Sequence, residues 1–167
     1  MAESTSCKPL QPSLLDRLTD DEPQQRQESR QQRLLSPRRL REVVLRDLAW
    51  LLNTCNLAAT EDLSEFPQIG ESVLNFGIPD LAGHTASHVD TAGLERAIKE
   101  AIFSFEPRIV RRSVKIRAIR LEDGPNPNGL TFEIEGQLWA YPMPEQLFLR
   151  TEVDLESGHF QVEESKV

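Results

Sequence analysis

TAGLERAIKEAIFSFEPRIVRRSVKIRAIR, residues 91–120, changes its hydrophobic period at Glu106-Pro107-Arg108, and that change decides the fold. Before it, Leu94, Ala97, Ile98, Ala101, Ile102 and Phe105 recur at three- and four-residue spacing, which buries one helical face, and Asp90 stands where it can cap the helix. Pro107 ends that helix, because proline has no N–H and disfavours helical geometry in the residue before it. Beyond it, Val110, Val114, Ile116 and Ala118 alternate with Arg111, Ser113, Lys115 and Arg117, the period of a half-buried strand. Arg112 breaks the alternation as a bulge or an edge residue would. Glu106 is thereby placed at a helix-to-strand corner, where the macrodipole is negative and a carboxylate is poorly placed. Three environments fit it: an open, solvated turn, a pair with Arg108 in the same chain, or a partner that supplies opposite charges to both residues.

Outward from the corner, the turn at residues 123–129 leads to a second strand. There Leu130, Phe132, Ile134, Leu138 and Ala140 alternate with Thr131, Glu133, Glu135, Gln137 and Trp139. The acids of that strand can pair across it with Arg111, Lys115 and Arg117, each pair worth roughly 0.2 to 1 kcal/mol. A third strand spans about residues 146–154, and Ser157-Gly158 turns it into a last one at 159–163. In the other direction, Ser36 caps and Pro37 opens a helix whose apolar face is Leu40, Val43, Val44, Leu48, Leu51 and Leu52, with Trp50 off the stripe. Residues 53–77 read as loop with short structure, tied to the core through Ile69, Val73, Leu74 and Phe76. The expected class is α+β: a small antiparallel β-sheet of three to four strands packed with two main α-helices, preceded by an extended N-terminal arm.

Residues 1–35 are rich in Gln, Pro and charge and form that arm; residues 36–167 form a single domain. Within the arm, Leu14, Leu15 and Leu18 make an apolar stripe on one helical turn beside Asp16 and Arg17. Such a segment either orders in a partner's groove or packs on its own body.

The chain has 167 residues, 38% hydrophobic and 28% charged, enough for one core. A formal charge of −8 argues against a general nucleic-acid binder. The charge is two-sided: Arg108, Arg111, Arg112, Lys115, Arg117 and Arg120 follow one another with no acid between them, whereas carboxylates dominate the last strands. Cys7 and Cys55 form no metal-like or disulfide pattern, which suits a reducing compartment. No run approaches the roughly 20 apolar residues of a membrane span, and the start lacks the apolar core of a secretory signal, so a cytoplasmic location without membrane insertion is expected. His84, His88 and Asp90 lie close in a loop, but their surroundings do not favour the helix that a spacing of four would need. They read as solvated loop residues. No phosphate loop, nucleophile elbow or dinucleotide fingerprint is present, and neither a metal, a cofactor nor a small-molecule substrate is expected.

Four segments in order carry a resemblance: Ser13-Leu14-Leu15-Asp16-Arg17-Leu18, Val44-Leu45-Arg46-Asp47-Leu48 with Leu51-Leu52-Asn53, Ser72 through Asp80, and Phe105-Glu106-Pro107-Arg108. Together they resemble the TssE family, the baseplate wedge subunits of bacterial type VI secretion systems, over about residues 13–164. That family is itself similar to a wedge protein of contractile phage tails formerly labelled lysozyme-like. The resemblance implies a noncatalytic wedge domain at the membrane-docked baseplate, joining other wedge subunits (TssF, TssG and TssK-like) and priming the contractile sheath by strand exchange. It marks Glu106, Pro107 and Arg108, with Leu14, Leu15, Asp16, Arg17 and Leu18 of the arm, as partner contacts. If the opposite charges are in another chain, charge reversal at Glu106 or Arg108 should uncouple assembly and spare the fold; an internal pair would cost folding instead. The sheet edge that accepts a strand is not identified by the sequence, and a charged edge can equally be protection. The rival reading is a peptidoglycan-cleaving, lysozyme-like hydrolase using Glu106. Glycosidases need two carboxylates, no second one is evident, and Arg108 opposes an acid role.

Overall fold

The computed structural model describes residues 13–19, 36–83, 89–119, 129–140 and 143–165. His84, His88, Cys7, the turn at 123–128 and the rest of the arm lie outside the described residues. In chain order the elements are α1 (Leu14–Leu18), α2 (Pro37–Leu52), the short α3 (Pro67–Gly70), α4 (Thr91–Phe105) and strands β1 (Lys115–Ile119), β2 (Gly129–Leu138), β3 (Glu145–Asp154) and β4 (His159–Glu164). Single 3-10 turns occupy Leu57–Ala59, Val73–Asn75 and Arg111–Ser113. The strands form one antiparallel sheet in the order β1-β2-β3-β4, each pairing with the next in sequence.

The helices begin where their caps place them. Ser36 accepts the Arg39 N–H ahead of Pro37, and Asp90 accepts the Gly93 N–H. α2 buries Leu40, Val43, Val44, Leu48, Leu51 and Leu52, and α4 buries Leu94, Ile98, Ala101 and Ile102. These stripes meet Leu130, Phe132, Ile134 and Leu138 of β2 and Leu147, Leu149 and Val153 of β3 in one core, with α2 packed beside β4 and α4 beside β1. The architecture is the expected α+β sheet with two main helices.

Two expectations are corrected. The first strand starts at Lys115, not near Val110, because Arg111–Ser113 wind into a 3-10 turn. That turn is sealed from both sides: Ser113 Oγ donates to the Val110 carbonyl at 2.6 Å and accepts the Gln137 N–H at 2.8 Å. It takes up the residue that breaks the alternation at Arg112, so no bulge is involved, and the strand that follows is an edge strand of the sheet. Ile109 already bridges Leu138, and the Trp139 N–H reaches the Arg108 carbonyl at 2.8 Å, so the corner is stitched to β2 before β1 begins. The second correction lies in the 53–77 connection. Phe76 does pack inward, edge-on to Phe105 at 5.2 Å between ring centres, but Val73 and Leu74 are 81% and 67% exposed. Hydrogen bonds of Asn75 hold this turn instead of its aliphatic side chains: its amide accepts the Ala58 N–H at 2.9 Å and donates to the Gly70 carbonyl at 3.0 Å.

Of the anticipated cross-strand pairs, Lys115 meets Glu135 at 3.5 Å and Arg117 stands opposite Glu133 in register. Arg111 lies off the sheet and donates to the Phe103 carbonyl at 2.9 Å.

Candidate functional site

The helix-to-strand corner is a charge network built from three separated segments. Glu106 closes α4, its N–H donating to the Ile102 carbonyl, and its side chain turns inward to 3% exposure. Pro107 forces the chain to turn there and remains exposed. The turn returns Arg108 onto the same carboxylate: Nε donates to Oε1 at 2.6 Å, Nη2 to Oε2 at 2.5 Å, and the Arg108 backbone N–H to Oε1 at 3.1 Å. This is the two-pronged fit of a guanidinium to a carboxylate. Of the three environments the sequence leaves open for Glu106, the solvated turn is removed by burial, and the opposite charge is present in the same chain.

Sequence reasoning missed the third member. Asp47 of α2 accepts from Arg108 Nη2 at 2.6 Å through Oδ2, and its Oδ1 accepts from Arg46 Nε and Nη2 at 2.9 and 2.8 Å. Arg46 Nη1 then reaches Asp16 of α1 at 2.7 Å, and Asp16 also accepts from Ser13 Oγ at 2.5 Å. Arg46 lies over the Trp50 ring, 4.9 Å from its centre, which gives that off-stripe tryptophan a cation–π partner. A continuous path of opposite charges thus runs from the arm to the corner. The signal for it was the Arg46-Asp47 pair within the second motif, whose spacing alone names no partner.

Burial by itself would lower the Arg108 pKa, but hydrogen bonds to Glu106, the charge of Glu106 and then Asp47 outweigh it and raise the value. Arg108 stays charged. The hydrogen bond from Arg46 is the largest influence on Asp16 and, with Ser13 and against burial, holds that carboxylate below its ordinary value. A depressed folded-state pKa gives an attachment that is complete at neutral pH and is lost as pH falls through that value. Seating of α1 should therefore persist to below about pH 4, the ordinary aspartate range, and Asp16→Asn should release it at neutral pH. Fluorescence of a dye at Leu18→Cys, in Cys7→Ser/Cys55→Ser protein, checks this; equal anisotropy for both proteins at pH 7 would show that Asp16 does not hold the arm.

The arm's leucines are presented differently from its acid. Leu14 and Leu18 are 70% and 75% exposed, and Arg17 is exposed. Leu15 lines a cavity of about 270 Å³ together with Ser13, Trp50, Phe76, Phe105 and Arg108. That is below the roughly 300 to 1,000 Å³ of typical small-molecule sites. Arg108 Nη1 is buried and meets no acceptor among the described residues.

For acid chemistry the arrangement is unfavourable. The structure does bring a second carboxylate, Asp47, to the corner, but Arg108 bridges it to Glu106 and takes both Glu106 oxygens. Among the described residues no group of three or more His, Cys, Asp or Glu is placed to hold a metal ion, and Asp90 is occupied in capping α4.

The family described as baseplate wedge protein gp25, which is the family of TssE, matches residues 38–143, and the chain belongs to it. No curated protein and no solved structure matches the chain. The matched span holds α2 from its second residue on, α3, α4, β1 and β2, with Asp47, Glu106 and Arg108 inside it and α1 outside. Membership supports a structural role in a phage-tail-like baseplate and implies contact with other baseplate components. Among the described residues no helix is long and apolar enough to cross a membrane.

Proposed function

We propose that this chain is the structural wedge subunit of a type VI secretion system baseplate, a TssE-like adaptor that joins TssF-, TssG- and TssK-like subunits and primes the contractile sheath from the cytoplasmic side of the membrane-docked baseplate. The observation that carries the reading is the arm: Asp16 anchors α1 to the body through Arg46 while Leu14 and Leu18 face outward, an apolar stripe already positioned for a partner groove. Leu14, Leu15 and Leu18 are the proposed apolar contacts, with Asp16 and Arg17 setting their orientation. At the corner the proposed contacts are the exposed Pro107 and the partly exposed Arg108. Glu106 is too buried to be touched and acts by holding Arg108.

Sheath priming by an added strand is supported by the state of the two outer strands. On β1, Glu95 of α4 accepts the Ala118 N–H at 2.7 Å and blocks that edge. On β4, the Asn53 side chain accepts the Phe160 N–H and donates to its carbonyl, both at 2.9 Å, imitating a neighbouring strand for one residue. By alternation the backbone groups of Val162 and Glu164 point the same way, and the proposed sheath strand adds to that edge beyond Asn53.

Catalysis by Glu106 is opposed by Arg108, which occupies both of its oxygens, and a peptidoglycan assay without turnover is expected. The adaptor reading is tested by affinity purification and mass spectrometry from cells expressing the secretion system. Wild type should recover baseplate and sheath proteins, and Leu14→Ser/Leu18→Ser should lose at least one baseplate subunit. Recovery of none by wild type sinks the reading, whereas equal recovery by both proteins moves the contact off the arm.

A further inference from the structure

The stretch Ser72 to Ile78 leaves two residues without a task in the fold. Ser72 accepts the Leu74 N–H at 3.2 Å and donates to the Ile69 carbonyl at 2.9 Å, Asn75 ties two turns together, Phe76 packs on Phe105, and Ile78 bridges Cys55. Val73 and Leu74 have no such role. The 3-10 turn that carries them packs against α3, where Phe66 at the helix start is 57% exposed. A single exposed apolar residue is ordinary, whereas three large ones close together in the chain, with charged residues beside them, suit an interaction surface.

The charge around them has one sign. Glu61, Asp62, Glu65 and Glu71 are exposed on the same segment, and no Lys or Arg occurs between Arg46 and Arg96. We propose that residues 61–74 are a docking surface for a basic segment of a partner protein, in which apolar side chains meet Phe66, Val73 and Leu74 and flanking Lys or Arg side chains meet Glu65 and Glu71. Like-charge repulsion turns away an acidic segment or a nucleic-acid backbone. The basic corner of a second copy is a poorer fit: there the exposed Arg111, Arg112, Lys115 and Arg117 are interleaved with Val110, Ser113, Val114, Ile116 and Ala118, none of which is exposed. The surface uses no residue of the arm or of the corner, so it stands whether or not those contacts do.

The test places the photo-crosslinker p-benzoylphenylalanine at position 74 of the full chain in its native cells and identifies the attached peptide by mass spectrometry. The expected product is a segment of another protein with Lys or Arg close to the attachment point. Glu65→Lys/Glu71→Lys should lower its yield at least fivefold while leaving the melting temperature unchanged, since both side chains are exposed. Attachment to a second copy of this chain, attachment to an acidic segment, no attachment, or a yield indifferent to the charge reversal each overturns the proposal.

Discussion

Glu106→Ala is expected to destabilise the protein by about 3 kcal/mol, the lower end of the cost of breaking a buried ion pair from one side. The substitution removes the acceptor of two guanidinium donors and of the Arg108 N–H, while Arg108 stays mostly buried with Asp47 as its remaining carboxylate partner. Thermal unfolding followed by circular dichroism should show a midpoint lower by about 10 °C for a chain of this size. Glu106→Gln should lose less, because a neutral acceptor remains. Reversal at Glu106 alone should prevent folding, since it sets two guanidinium groups together beside one aspartate. Exchanging the two residues, Glu106→Arg with Arg108→Glu, should recover only part of the loss, because Asp47 then faces a carboxylate. A midpoint within about 2 °C of wild type for Glu106→Ala would show that the pair contributes little, and a spared fold would return the corner to a purely intermolecular role. This replaces the expectation that charge reversal spares the fold, which requires the opposite charges to lie in another chain.

Gly77→Ala is expected to cost about 3 kcal/mol by a different mechanism, backbone strain combined with a steric clash. Gly77 has φ of 125°, in the region that only glycine adopts readily, and a β-carbon there would stand 2.2 Å from the Thr54 carbonyl oxygen and 2.8 Å from its carbon. Those are backbone atoms and cannot swing away. The same Thr54 oxygen accepts the Ile78 N–H at 2.9 Å, and the Asn56 N–H reaches the Ile78 carbonyl at 3.0 Å, so relief of the clash must open the short parallel bridge that seals the connection onto the end of α2. Hydrogen exchange at the Ile78 and Asn56 amides should accelerate at least tenfold, together with a lower urea midpoint. Unchanged protection at both amides would mean that the bridge tolerates the side chain and that the glycine is not required for closure.

These two positions show different degrees of legibility. Gly77 was readable as the end of a loop, but which backbone it must approach depends on Thr54, brought in from the far end of the connection. Glu106 and Arg108 were readable as a charged pair at a helix end, and periodicity placed them correctly between α4 and a strand. Their third partner, Asp47, lies 61 residues from Arg108, and no local pattern could join them. Val73 and Leu74 were misjudged for the complementary reason: apolar character argues for burial, yet short turns held by Asn75 and Ser72 have no apolar face to bury, and exposure followed from how the turn closes.

What the amino-acid sequence determined by itself was local and periodic. Caps at Ser36 and Asp90, the three-and-four spacing of α2 and α4, the stop at Pro107 and the alternation in β2 each express a backbone or burial preference that acts within a few residues. The tertiary structure alone decided which charges meet. Asp16, Arg46, Asp47, Arg108 and Glu106 become one network only when α1, α2 and the end of α4 are packed together, because a salt bridge depends on distances of a few ångströms between segments whose separation along the chain carries no such information.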